Sequence, residues 1–184
     1  MKNYLILIIV LVIVSSCGEV HCPAFPDKLM SWVNYQTDDV IKFKSENDTL
    51  CFVVTNNYKT EGYSFKKNCD CDCEAEAGYE TNVSQSEFKI IGNCYEHYEN
   101  KYLLSYRFVS ITSEDKFQFH YDFSNNQILD DVNITEYELN NVTLSNVGML
   151  EKTTNQKIIK IYFTSDKGLI AFVDSSNFEW KLIE

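Results

Sequence analysis

Six cysteines in the body of the chain carry its most reactive side chains. Three of them alternate with acids in the stretch Cys69-Asp70-Cys71-Asp72-Cys73-Glu74, and the others are Cys22, Cys51 and Cys94. In an extended segment the three alternating thiols point to one side. A bridge between next-but-one residues is strained, so each of these three thiols is expected to pair with one of the other three. Outside the cytosol we therefore expect up to three disulfides, whose connectivity stays open.

A zinc site is the sharper alternative for the same thiols, with Cys94, His97 or His21 completing four soft ligands. The Cys-x-Cys-x-Cys spacing differs from the usual Cys-x2-Cys, and an oxidising compartment competes for the thiols. The neighbouring acids lack the glycine and the spacing of an EF-hand calcium loop; they are Asp70, Asp72, Glu74 and Glu76. The sequence therefore favours disulfides over free thiols and over metal, and we assign neither a metal nor a cofactor.

Hydrolytic chemistry has little support in the sequence. A triad needs a histidine beside a nucleophile and an orienting acid, and the chain contains neither Gly-x-Ser-x-Gly nor His-Glu-x-x-His. His120 falls on the polar face of a predicted strand, where we expect it to be solvated. The carboxylate pairs Asp38/Asp39 and Asp130/Asp131 are interpreted as surface turns. We therefore expect a protein that is not an enzyme. A hydrolase is the least favoured function, after a binding or structural role and after a ligand carrier.

The one remaining cysteine of the seven, Cys17, follows an uninterrupted apolar run from Tyr4 to Val14 and two serines. A charged start at Lys2, a short apolar stretch and small residues are the layout of a secretory signal. The run has about eleven residues, whereas a membrane-crossing helix needs roughly twenty. Two other interpretations of this segment stay open: a transmembrane anchor, and an ordinary secreted protein that is cut near Ser16.

The stretch Val14-Ser15-Ser16-Cys17 resembles the lipobox of bacterial lipoproteins. The resemblance implies a lipoprotein signal peptide at 1–16, a lipidated tether at 17–25 and a single β domain at 26–184. It also implies acyl chains, palmitate among them, on Cys17, and this use of the thiol accounts for the odd cysteine. Two or more acyl chains hold a protein stably on a membrane. We expect a lipid anchor in the cell envelope, in the outer membrane of a two-membrane bacterium, and the membrane face stays open.

Charge and composition narrow the partners. The chain has 16 basic and 27 acidic side chains, for a net charge of −11. Such a surface repels phosphate backbones and anionic lipid heads, which argues against nucleic-acid binding and against membrane contact through the folded surface. Membrane contact is therefore expected through the acyl chains, and the remaining partner is an envelope protein or a glycan.

Alternating side chains predict an all-β domain. The clearest strand is 117–123, where Phe117, Phe119, Tyr121 and Phe123 alternate with polar residues. We expect these rings to form core, with a ligand pocket as the alternative. Other strands are predicted at 39–44, 50–54, 62–67, 87–91, 102–110, 142–149, 157–164, 169–173 and 178–183. With one short N-terminal helix at 25–33, the prediction is an antiparallel β-sandwich or partly open barrel.

The carboxy-terminal segment 157–183 resembles the closing strands of short uncharacterised bacterial lipoproteins. The residues that carry the likeness are Lys167-Gly168-Leu169-Ile170-Ala171-Phe172 and Trp180-Lys181-Leu182. The likeness implies no activity. We expect one shared inner face in this last hairpin, made of Tyr162, Leu169, Ala171, Val173, Trp180 and Leu182. Tyr95, Tyr98 and Tyr102 are a candidate surface patch.

Together these features predict a membrane-tethered envelope lipoprotein with a binding or structural role. The alternative is a carrier of a small apolar ligand held in a β-barrel pocket.

Overall fold

The computed structural model describes residues 24–60, 75–82, 87–98, 100–152 and 156–183. The predicted signal peptide 1–16 and the predicted strand 62–67 lie outside these ranges. The predicted lipidation residue, Cys17, and one histidine, His21, also lie outside them. The same is true of four of the six disulfide candidates, which are Cys22, Cys69, Cys71 and Cys73.

The chain enters the domain through a 3-10 turn at Asp27–Trp32, not through the predicted α-helix. The backbone N–H of Leu29 donates to the Pro26 carbonyl, which is the i to i+3 pattern of a 3-10 turn. Six residues are too few to sustain an α-helix, whose nucleation is costly. Leu29 and Trp32, three positions apart, share the buried face. The short N-terminal helix is therefore not confirmed.

Twelve strands in the described part of the chain form one continuous antiparallel sheet. Their bounds are β1 Val40–Lys44, β2 Thr49–Lys59, β3 Glu76–Thr81, β4 Phe88–Tyr98, β5 Lys101–Ser110, β6 Glu114–Asp122, β7 Gln127–Ile128, β8 Asn133–Leu139, β9 Val142–Glu151, β10 Ile158–Thr164, β11 Gly168–Asp174 and β12 Glu179–Ile183. The predicted all-β, antiparallel class is confirmed.

The strand order turns this sheet into a half-barrel. It reads β7-β6-β5-β4-β3-β2-β1-β12-β11-β10-β9-β8, so β1 pairs with both β2 and β12. Every other neighbour in the order is also a neighbour in sequence, which is the simplest way to connect antiparallel strands. The two ends of the sheet are β7 and β8, which follow one another in the chain. The sheet curls so that its concave side holds the core.

Rings from opposite walls meet inside the half-barrel. Phe119 of β6 stacks on Phe163 of β10 with centroids 4.4 Å apart, and Phe108 lies 5.2 Å from Phe172. Trp32 of the 3-10 turn packs beside Phe119 at 5.5 Å. These contacts agree with the interpretation of the 117–123 aromatic row as core, because Phe117, Phe119 and Tyr121 are all buried.

The β8–β9 hairpin bends over the outer face of the sheet. Asn146 has a left-handed backbone (φ 58°), and the β8–β9 register shifts between Thr135 and Tyr137. Tyr137 then packs on Tyr162 at 4.5 Å, and the Asn140 side-chain amide donates to the Leu182 carbonyl. A bulge that bends a strand in this way re-aims its side chains.

This bend splits the predicted inner face of the last hairpin, so that prediction is wrong in part. Leu169 and Trp180 join the main core, whereas Tyr162 and Ala171 belong to a second cluster with Tyr137. The β10–β11 register shifts between Tyr162 and Phe163. A one-residue shift moves side chains to the opposite face of a sheet.

Candidate functional site

A cleft lies at the seam where the two ends of the sheet face each other. One side is β7 with the segment that follows it, and the other is β8, β9 and the end of β10. The cleft has a volume of about 500 Å³. Its lining comprises Trp32, Tyr121, Asn126, Gln127, Ile128, Asp130, Val132, Ile134, Asn146, Gly148, Phe163, Thr164 and Ser165. We call it the seam cleft.

The seam is closed at the opposite end of the same strands. The buried carboxylate of Asp115, on β6, accepts a hydrogen bond of 2.9 Å from the backbone N–H of Ile158, on β10. The ammonium of Lys152 donates to the Lys116 carbonyl and lies 5.0 Å from the centre of the Phe117 ring. These contacts join β6 directly to the β9–β10 connection. At this end the seam is bridged and holds a smaller depression of about 320 Å³, whereas beside β7 and β8 no such bridge is described.

The floor of the seam cleft is apolar. The Phe163 ring lies across Gly148, where an added Cβ would approach the ring to 2.4 Å, so the floor depends on this glycine. Trp32 contacts both Tyr121 and Phe163, at 5.8 and 6.0 Å between centroids. Ile134 pairs with Gly148 across β8 and β9 and remains 55% exposed. An exposed branched side chain over a buried aromatic floor is surface that a ligand can cover.

Amides and hydroxyls form the rim of the seam cleft. Asn126 and Asn146 both occupy the left-handed backbone region, which asparagine tolerates better than most residues. The Asn126 side chain accepts a 2.5 Å hydrogen bond from the Tyr121 hydroxyl. The Ser165 carbonyl accepts from the Ser31 hydroxyl, which ties the 3-10 turn to this rim. Planar amides at fixed backbone positions can present paired donors and acceptors to a ligand.

A second depression continues from the seam cleft around Tyr121. It has a volume of about 580 Å³ and shares Trp32, Tyr121, Asn126 and Ser165 with the cleft. Lys28 and Asn100 add polar groups to its lining. The accessible surface therefore extends from the sheet ends to the point where the chain enters the domain, which gives room for an elongated ligand.

Two of the predicted disulfide candidates, Cys51 and Cys94, are described, and neither is bridged to another described cysteine. Cys94 is fully buried in the main core, and burial, followed by the charge of Glu76, raises the pKa of its thiol far above the ordinary range. Cys51 alternates with Leu50 and Phe52 of the core, so it faces the outer side of the sheet. The two thiols lie on opposite faces and do not bridge each other. Pairing with the four cysteines outside the described ranges stays a prediction.

The structure brings together two histidines that the sequence left apart. The rings of His97 and His120 lie 5.4 Å apart between centroids, and His120 Nδ1 lies 2.9 Å from an Asp130 oxygen. The hydrogen bonds described for the His120 side chain go to Asp130, with no serine, threonine or cysteine among the partners. Within the described residues, no three or more His, Cys, Asp or Glu side chains gather as a metal site.

Other predicted surface features have local roles. Asp39 caps its own turn by accepting from the Gln36 backbone N–H, as expected for a turn carboxylate. Tyr102 is 4% exposed and packs edge-on against Phe25, so it belongs to the core and not to a surface patch. Sequence reasoning missed the seam cleft because its lining comes from six segments and no motif marks it.

Comparison with known proteins identifies no relative from which a function could be inferred, so a functional proposal rests on the fold and the seam cleft. No family model, no curated protein and no solved structure matches the chain. In the described ranges, no helix has the length and apolar character required to span a membrane.

Proposed function

We propose that this chain is a lipid-anchored binding protein of the bacterial cell envelope, and that the seam cleft binds a neutral glycan. In this proposal, acyl chains on Cys17 hold the protein at the outer membrane and the β domain has no catalytic step. The observation that carries the binding site is the open seam between β7 and β8, with an apolar floor and an amide-rich rim.

The chemistry of the lining favours a glycan. Asn126, Gln127 and Asn146 can pair their amides with neighbouring sugar hydroxyls, and Thr164 and Ser165 add short hydroxyls. The exposed Ile134 side chain in this lining suits the C–H faces and acetamido methyl groups of N-acetylated sugars. Ligand sites commonly combine a mainly apolar lining with a few convergent polar groups. The net charge of −11 disfavours anionic glycans, so the preferred ligand is uncharged.

The alternative of an apolar carrier has less support. Such a carrier needs free volume on the concave side, and the described core fills that side with rings in contact. Phe119 and Phe163 stack at 4.4 Å, and Trp32 occupies the space next to them. The seam cleft itself is lined by the ends of the strands and by Trp32, and the rings of the described core close the space behind it.

The position of the chain entry is compatible with a tether. Phe25 donates its backbone N–H to the Thr60 carbonyl, which fixes the start of the described chain at one end of the sheet. Six residues, 18–23, separate Cys17 from Ala24, and the seven Cα–Cα steps between these two residues span at most about 25 Å in a fully extended chain. Lipidation at Cys17 therefore holds the end of the domain that carries the second depression within reach of the membrane surface.

Glycan binding is tested with the full-length protein in detergent and a tetramer of N-acetylglucosamine as the probe. Tryptophan fluorescence reports binding, because Trp32 lines the cleft. We expect saturable binding that weakens about tenfold or more in Asn146→Gly, which removes an amide and keeps the left-handed backbone accessible. Asn177→Gly is the matched control, because Asn177 also has a positive φ (64°) and lies in the β11–β12 turn. Absence of binding, or equal weakening in both variants, contradicts the proposal.

The anchor is tested separately. Intact-mass analysis of the membrane fraction is expected to show a chain that begins at Cys17 and carries acyl chains. Cys17→Ser is expected to move the protein out of that fraction. An unmodified Cys17 in mature protein that still begins at Met1 refutes the anchor, whatever the result with the glycan.

A further inference from the structure

Two histidine rings lie side by side on the outer face of the half-barrel, close enough to share one metal ion. His97 lies near the end of β4 and His120 on β6, with β5 between these strands. Leu103 of β5 pairs with Tyr95 on one side and His120 on the other. The two imidazole rings lie 5.4 Å apart between centroids.

A β-bulge brings the two rings together. The β4–β5 register shifts between Glu96 and Tyr98, so His97 is the extra residue of β4. Bulges re-aim one side chain without ending the strand pairing. This bulge places His97 close to His120, although β5 separates their strands.

Asp130 sets the tautomer of His120. Its carboxylate lies 2.9 Å from His120 Nδ1 and accepts the His120 backbone N–H at 2.5 Å. A carboxylate accepts only, so in the neutral ring Nδ1 is the nitrogen that carries the proton and Nε2 is the one that can bind a metal. Metal-binding histidines commonly donate their second nitrogen to a carboxylate in this way. The His120 side chain is 34% exposed, which leaves its ring accessible from solvent.

We propose that His97 and His120 bind one divalent late transition metal, with Cu²⁺ bound most tightly and Asp130 as a positioning residue. Metal–nitrogen bonds of about 2 Å place the metal about 3.2 Å from each ring centroid. Two rings bound to one metal can therefore lie up to about 6.4 Å apart between centroids, and the separation of 5.4 Å is within that reach. Imidazole suits copper, nickel and zinc, and Cu²⁺ binds most tightly in the Irving–Williams order. Water completes the coordination, because two protein ligands leave positions open.

The test titrates Cu²⁺ alone into full-length protein in detergent, after exposed thiols have been blocked with iodoacetamide. Calorimetry is expected to show one site, and electron paramagnetic resonance is expected to show coupling to two nitrogens. His97→Gln and His120→Gln are each expected to weaken binding about tenfold or more and to remove one coupled nitrogen. Asp130→Ala is expected to weaken binding about 10- to 100-fold. Asp130→Asn is expected to restore part of the affinity, because its amide oxygen can still accept from Nδ1.

Two controls make the outcome decisive. Asp131→Ala changes the exposed neighbour of Asp130 and is expected to leave copper affinity unchanged. His21→Gln tests the third histidine and is expected to have no effect. Copper binding that survives both His97→Gln and His120→Gln, or that is lost in His21→Gln, overturns the proposal, as does a wild-type spectrum without nitrogen coupling. Glycan binding is measured independently, so either proposal can fail alone.

Discussion

Trp32 connects the 3-10 turn to both walls of the half-barrel, and its removal tests whether that turn fills the interior. The side chain is 3% exposed and contacts Phe119, Tyr121 and Phe163 at 5.5 to 6.0 Å between centroids. A buried aromatic covers about 200 Å², which corresponds to about 5 kcal/mol as an upper value. Substitutions of buried tryptophan by alanine cost about 3–5 kcal/mol. We therefore expect Trp32→Ala to lower the free energy of unfolding by about 4 kcal/mol.

Thermal and urea unfolding, followed by circular dichroism, measure this loss. For a chain of this size, about 4 kcal/mol corresponds to a decrease in Tm of roughly 10 °C. The void in Trp32→Ala is lined by Phe119 and Phe163, and apolar cavities of this kind bind small aromatic molecules. Added indole is therefore expected to raise the Tm of Trp32→Ala by mass action and to leave the wild type unchanged.

The matched control is Phe178→Ala, because Phe178 is 55% exposed in the β11–β12 turn. Its substitution is expected to change the free energy of unfolding by no more than about 0.5 kcal/mol. A loss below about 1.5 kcal/mol in Trp32→Ala, or one equal to that of Phe178→Ala, refutes the assignment of the 3-10 turn as a filled part of the core.

Two further predictions concern the closed end of the seam and the buried tyrosines. Asp115→Ala removes the acceptor of the Ile158 backbone N–H and is expected to lower the free energy of unfolding in urea by about 1–3 kcal/mol. Asp166→Ala, at an exposed residue, is the control. Equal effects of the two substitutions would contradict the role of Asp115 in joining β6 to β10. Burial first, then nearby carboxylates, raises the pKa values of Tyr35 and Tyr102 to about 12, against about 10 in the unfolded chain. Both groups therefore stabilise the fold fully below pH 10, and this stability is lost as pH rises toward 12. The urea midpoint is expected to fall over that interval, and less steeply in Tyr35→Phe; an unchanged slope in the variant would count against the shift at Tyr35.

The sequence predicts strands well where alternation is strict and one face is buried. β6 is the clearest example, because Phe117, Phe119 and Tyr121 alternate with polar residues and all three are buried. The turns before β11 and β12 contain residue types typical of turns, Gly168 and Asn177, and both of these residues have positive φ. In these segments local preference and tertiary position agree, so periodicity alone suffices.

β3 and β8 were missed for different physical reasons. β3 contains Ala77 and Gly78, which have little intrinsic preference for strands, and it forms because β2 and β4 pair on its two sides. An added Cβ at Gly78 would lie 2.7 Å from the Tyr58 hydroxyl, so close packing explains this glycine. In β8 the shift between Thr135 and Tyr137 breaks the alternation that identifies a strand.

The candidate sites could not be predicted, because they depend on how the sheet curls. The seam cleft lies between the end of β6 and β10. Trp32 contacts Tyr121 of β6 and Phe163 of β10 there, and no local sequence pattern predicts these contacts. The approach of His97 to His120 depends on a bulge whose position is fixed by pairing with β5. The sequence predicted a solvated His120, a surface turn at Asp130 and, for His97, only an alternative role as a zinc ligand beside cysteines.

The length, pairing and side chains of the two end strands, β7 and β8, explain why the seam can stay open to a ligand. A free sheet edge exposes backbone groups that can pair with another strand. β7 has only two residues, and β8 is interrupted by its register shift and carries exposed Glu136 and Glu138. Short length, a bulge and charged side chains are the features that disfavour edge-to-edge association. These ends therefore discourage strand addition, while the exposed side chain of Ile134 remains reachable beside them. That combination favours the proposed glycan over a peptide strand as the occupant of the seam cleft.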